Sequence, residues 1–142
     1  MRKFIIIPLI FMLGACWHTN DPRPTIVNGD VSIDTNKICV KSPTSFDDEY
    51  IQFIEIFSFK EQKEIARVDY TSNLIKLESN KCLPIPDFQY QAGNRYSYTA
   101  VTVLKEKQKR GTKPDRRAID VSFLIEDVNG KIEAVSSTKR KQ

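Results

Sequence analysis

The chain has 142 residues, of which 40% are hydrophobic and 28% charged, and carries a formal net charge of +4 at pH 7. That length suits one domain with a single core, and neither an internal repeat nor a long low-complexity stretch divides it. Two of the cations stand at positions 2 and 3, so the remainder is only mildly basic, and that gives no argument for nucleic acid as a partner.

Arg2 and Lys3 precede an unbroken apolar run from Phe4 to Leu13, followed by the small residues Gly14 and Ala15. Charge, apolar run and small residues in that order predict an export signal over residues 1–15. A helix of ten residues covers about 15 Å, roughly half of a hydrocarbon core, and is too short to span one. The stretch Leu13-Gly14-Ala15-Cys16 resembles the lipobox of bacterial lipoproteins. That resemblance implies that Cys16 takes a diacylglyceryl thioether, that the signal is cut away before it, and that its freed amine is acylated. Several acyl chains hold a protein at a membrane far more firmly than one. Residues 16–24 would then be a lipidated cysteine and tether, with Pro22 and Pro24 favouring extended chain. In such lipoproteins an aspartate after the cysteine usually marks the inner membrane. Trp17 stands there instead, which implies the periplasmic side of the outer membrane. Beyond this covalent lipid no cofactor is expected.

Two cysteines remain, Cys39 and Cys82. In an oxidising compartment their simplest use is one disulfide, with two buried free thiols as the alternative. The rest of the sequence is rich in strand signals. Asn28-Gly29 between apolar residues predicts a hairpin turn, and Lys37–Lys41 a short strand. Tyr50–Phe59 is aromatic and β-branched with apolar residues on both parities, as in a strand covered on both faces or one carrying a bulge. Shorter runs follow at 64–70 and 74–78, and Pro84 and Pro86 exclude a central ladder position. After Gly93-Asn94, one parity of the next strand carries Tyr96, Tyr98, Ala100, Thr102 and Leu104. Ile119, Val121, Phe123 and Ile125 alternate likewise, and Asn129-Gly130 turns the chain into a last strand. Seven to nine short strands with frequent turns predict an all-β domain over residues 25–142, an antiparallel β-sandwich of immunoglobulin-like type.

Candidates for chemistry are few. The lone histidine, His18, lies in the tether, where no fold surrounds it with a nucleophile or a third group. The carboxylates of Asp47-Asp48-Glu49 and Glu126-Asp127 fall at loops and strand ends, where solvated turn residues are common. No phosphate loop, metalloprotease helix or calcium-loop spacing occurs. The expectation is a binding protein, not an enzyme, with no metal and no small-molecule substrate.

The most marked feature is the segment from Lys105 to Arg117, which carries Lys105, Lys107, Lys109, Arg110, Lys113, Arg116 and Arg117 against Glu106 and Asp115. Gly111 and Pro114 predict a long turn there. A solvated connection is one reading; a docking surface for an acidic partner is the other. The acidic turn at 44–50 and the basic tail at 138–142 are weaker candidates.

Taken together, the start of the chain, the strand around Cys39, the block from Lys81 to Tyr98 and the run Ala118–Asp127 resemble small enterobacterial lipoproteins described as type VI secretion immunity proteins. The resemblance implies a membrane-anchored periplasmic protein that binds and neutralises a toxin injected by a neighbouring cell. The partner-binding candidates are then Arg110, Lys113, Arg116 and Arg117 of the basic loop, with exposed tyrosines among Tyr90, Tyr96 and Tyr98. The competing expectation is a structural or assembly lipoprotein of an envelope or secretion machine.

Overall fold

A computed structural model describes residues 23–137. The expected signal, the expected lipidation site Cys16, most of the expected tether with His18, and the basic tail lie outside the described residues.

Three long strands form the body of the sheet: β4 (Glu49–Ser58), β7 (Arg95–Leu104) and β8 (Arg116–Val128). They are adjacent and antiparallel, in the order β8-β7-β4. Each outer member of this trio is longer than either strand on its outer side, so each outer column is shared. On one side β8 pairs first with β1 (Thr25–Asn28), in parallel, and then with β9 (Lys131–Ser136), antiparallel. On the other side β4 pairs first with β6 (Ile75–Lys76) and then with β5 (Lys63–Asp69). The result is a mixed seven-strand sheet that does not close into a barrel. Nine strands are described, counting a hairpin of β2 (Asp30–Asp34) and β3 (Lys37–Lys41).

The register shows which face is covered. Tyr96, Tyr98 and Ala100 of β7 stand opposite Phe123, Val121 and Ile119 of β8, and all six are buried. Ile54 and Ile56 of β4 continue the layer on the other side. The alternation legible in the sequence is therefore the core face. Both parities of β4 are apolar because the strand carries a bulge: its register with β7 shifts between Ile51 and Phe53. Glu49 and Ile51 before the bulge, and Ile54, Ile56 and Ser58 after it, thus face the same way and are buried.

What covers this face corrects the expected sandwich. In place of the second sheet of an immunoglobulin-like pair stand the β2–β3 hairpin and an irregular strap, residues 77–92. Val40, Leu77 and Leu83 bring them into the core. The Cys39–Cys82 disulfide, with a Cα–Cα distance of 5.1 Å, ties the start of the strap to β3. Beside it the Leu83 amide donates to the Val40 carbonyl at 2.7 Å.

Two turns differ from expectation. Asn28-Gly29 makes no hairpin, since β1 pairs with β8 and β2 with β3. Gly29 is there for close approach: a Cβ on it would lie 3.1 Å from Ile119 Cγ2 and 3.3 Å from the Lys41 carbonyl. The β2–β3 turn is Thr35-Asn36, both with positive φ, as a tight two-residue hairpin requires. Asn129-Gly130 does turn β8 into β9 as expected.

The basic loop also differs. Lys105–Arg110 is a helix, α1, made entirely of good helix formers. A six-residue helix is marginal alone, and this one is held from outside. The Lys105 amide donates to the Asp48 carbonyl at 3.1 Å and the Glu106 amide to Asp48 Oδ2 at 2.9 Å. Gly111, in the left-handed region at φ 68°, ends it.

Candidate functional site

Residues that the sequence groups together are separated by the fold into two opposite ends of the sheet. At the first end the chain enters β1, β7 runs out into α1, and β4 and β8 begin. Here lie the basic segment and the loop 43–48. Arg117, expected at the surface, is buried, because β8 turns it onto the covered face beside Glu49 and Thr102. Its Nη1 donates to Glu49 Oε2 at 2.8 Å and its Nη2 to Thr44 Oγ1 at 2.8 Å. Thr102 Oγ1 donates to Glu49 Oε1 at 2.5 Å, and the Phe46 amide donates to Oε2 at 3.1 Å. The pair is thus desolvated but fully hydrogen-bonded, the condition under which a buried ion pair is tolerated.

This network orders the loop outside it. Phe46 lies over the Arg117 guanidinium, 4.8 Å from ring centroid to Cζ, and yet is 53% exposed. The other cations of the segment do remain at the surface: Lys105, Lys109, Arg110, Lys113 and Arg116 are exposed and Lys107 is half-buried. Lys113 reaches Asp115 Oδ2 at 2.7 Å. That hydrogen bond holds the Asp115 carboxyl below its ordinary value. Of the basic residues expected to bind a partner, this end keeps Arg110, Lys113 and Arg116 exposed and withdraws Arg117. Phe46 was not among them. It belongs to the acidic turn at 44–50, and only its packing over Arg117 singles out its ring.

Tyr96 and Tyr98 belong to the second end, and burial withdraws them too. They are pins for the strap. Tyr98 Oη donates to the Pro84 carbonyl at 3.0 Å, Tyr90 Oη donates to the Asn36 carbonyl at 2.8 Å, and the Gln91 amide donates to Tyr96 Oη at 3.1 Å. Burial pushes the Tyr98 phenol far up, so its hydroxyl stays a donor over any ordinary pH. Phe88 packs edge-on against Tyr96, with centroids 5.5 Å apart, and against Tyr90 at 6.0 Å.

The pinned strap is bordered by two clefts that share Asp87 and Phe88. One, of about 370 Å³, lies between the strap and the β2–β3 turn and is lined by Ile38, Leu83, Ile85, Pro86, Phe88 and Tyr90, with Lys37 at its edge. The other, of about 390 Å³, separates the strap from the start of β5 at Glu61, Lys63, Glu64 and Ile65. Each is within the range of ordinary recognition sites. Among the described residues, no group of histidine, cysteine, aspartate and glutamate gathers to hold a metal, and no helix is long and apolar enough to cross a membrane.

No curated protein and no solved structure matches the chain. A family match extends over residues 27–127, a span that includes the disulfide, the strap and the whole basic segment. The chain belongs to the family described as a domain of unknown function, DUF7480.

Proposed function

We propose that this protein is a membrane-anchored periplasmic lipoprotein that binds and neutralises a secreted antibacterial toxin. Cys16 is its lipid anchor and the strap end is its binding surface. The observation that carries the reading is the strap itself. Ten irregular residues, 83–92, would ordinarily be mobile and costly to order on binding. Here a disulfide, three tyrosine hydroxyls and an edge-on ring contact fix them around Phe88 before any partner arrives. Preorganisation of that kind favours the tight one-to-one binding that occlusion of a toxin demands. The Cys39–Cys82 bridge is consistent with an exported protein. The toxin identity rests on the resemblance to immunity lipoproteins.

The test is capture and protection. The chain beginning at residue 16, with Cys16→Ser, serves as bait in lysates of toxin-secreting relatives. One stoichiometric partner, whose toxicity disappears on co-expression and returns with Phe88→Ala, supports the proposal. Recovery of envelope or secretion-apparatus proteins, with no toxicity neutralised, would favour an assembly lipoprotein instead.

A further inference from the structure

The parallel pairing of β1 with β8 fixes where the anchored chain enters the domain. Thr25 stands beside Arg117, at the end of the sheet that carries α1 and the 111–116 connection, and Asn28 lies farther in, beside Asp120. If Cys16 is lipidated, residues 16–24 are all that separates this end from the bilayer. Nine residues span at most about 30 Å fully extended. The same end holds Lys105, Lys107, Lys109, Arg110, Lys113 and Arg116, and Phe46, 53% exposed, lies there over the Arg117 guanidinium. Acids at this end are largely engaged: Asp48 caps α1, Asp115 pairs with Lys113, and Glu78 pairs with Lys81. Asp47 and Glu106 are further carboxylates exposed among the described residues of this end. The opposite end mixes both signs, with Asp34, Glu61, Asp87, Glu126 and Asp127 among Lys37, Lys60, Lys63, Arg95 and Lys131.

We infer that the basic end is a membrane-docking surface, on which the exposed cations meet anionic phospholipid headgroups while Phe46 enters the interface. A lipid chain and a basic patch are complementary signals at a membrane. Together they turn the strap end outward, away from the bilayer, where a partner can reach it. The orientation rests on the anchor proposed above; the affinity of the basic end for lipid does not, and the two are tested separately.

The unlipidated chain from residue 16, Cys16→Ser, is mixed with vesicles holding about 40% phosphatidylglycerol, or phosphatidylcholine alone, and sedimented. Every described strand begins at Thr25 or later, so this chain retains the whole fold. Binding is expected on the anionic vesicles only. Replacement of three surface cations, Lys109→Glu, Arg110→Glu and Arg116→Glu, weakens it at least about a hundredfold. Raising salt from about 0.1 M to about 1 M, which cuts the screening length from about 10 to 3 Å, abolishes it. An unchanged circular dichroism spectrum and melting temperature show that the triple variant is folded. Equal binding to both kinds of vesicle, no binding to either, or binding unaffected by the triple change overturns the inference. So does loss of toxin capture in the triple variant with vesicle binding intact, which assigns this end to a protein partner. The intact mass of the protein extracted from membranes reports on Cys16 alone: a missing acyl mass removes the anchor but leaves the vesicle result standing.

Discussion

At the end where the chain enters, order is kept by charge: the Arg117 guanidinium between Glu49 and Phe46, and α1 held at its start by Asp48. At the opposite end the work falls to neutral groups, three tyrosine hydroxyls and the rings of Phe88, Tyr90 and Tyr96. The difference is one of sensitivity. The exposed cations of the first end respond to salt and to the sign of whatever approaches, whereas the phenol hydrogen bonds and ring packing of the second are indifferent to both. Each end also exposes two large apolar side chains, Ile26 and Phe46 at the first, Phe59 and Val128 at the second. Apolar exposure therefore does not distinguish them. Charge and rigidity do.

The hardest test of the first end is to remove the cation inside it. Arg117→Met leaves Glu49 buried without its partner and costs about 3–5 kcal/mol in denaturant unfolding. Adding Glu49→Leu restores a large part of that loss. A cost below about 1 kcal/mol would show that the pair is not what orders this end.

The matching test of the strap opens the bridge at its start. Cys39→Ser with Cys82→Ser costs about 4 kcal/mol in the chain-entropy account of a loop whose ends are 43 residues apart. Hydrogen exchange then rises across 83–92 with little change in α1. Exchange that rises equally at both ends would remove the independence of the two regions.

Smaller, and confined to one pin, is Tyr98→Phe. It leaves the Pro84 carbonyl without its donor and costs about 1–3 kcal/mol. The loss is the same at pH 6 and pH 9, because the phenol does not ionise between them. A pH-dependent loss would contradict a neutral strap.

The smallest effect lies on the uncovered face of the sheet. Burial, then Glu64, raises the Glu55 carboxyl above its ordinary value, with Asp120 adding to the shift and Arg67 opposing it. The folded protein therefore binds that proton more tightly than the unfolded chain, and stability falls as pH rises above about 4.5. Glu55→Gln removes this fall and stabilises by a few tenths of a kcal/mol at pH 7. Asp115 has the opposite sign. Its carboxyl is lowered from 3.8, so its contribution is complete above that value and is lost as pH falls through the lower folded one. A thermal-melt series from pH 2 to pH 7 separates the two slopes.

Much of the fold was legible because alternation is local. The faces of β7 and β8 follow from period two, and the bulge in β4 shows as apolar residues on both parities. α1 was legible in principle, as six consecutive good helix formers, but Gly111 and Pro114 just beyond it make the whole segment read as a turn. Asn28-Gly29 misleads because the glycine answers a close approach from Ile119 and Lys41, residues that sequence distance hides. The site was less legible for the same reason. Arg117 looks like one more cation of a basic run, and only Glu49, 68 residues earlier, makes it interior. Tyr96 and Tyr98 share a face with core residues, but their hydroxyls find partners at Pro84 and Gln91, which no local pattern announces.

The most direct measurement places a photoreactive benzophenone side chain at Phe88 in one cell line and at Lys109 in another, both with the full chain in its own envelope, followed by irradiation in the presence of the toxin-secreting neighbour. The account predicts a protein adduct from position 88 and a lipid adduct from position 109. A protein adduct from 109 with none from 88 would contradict it, and the basic end would then be the binding surface.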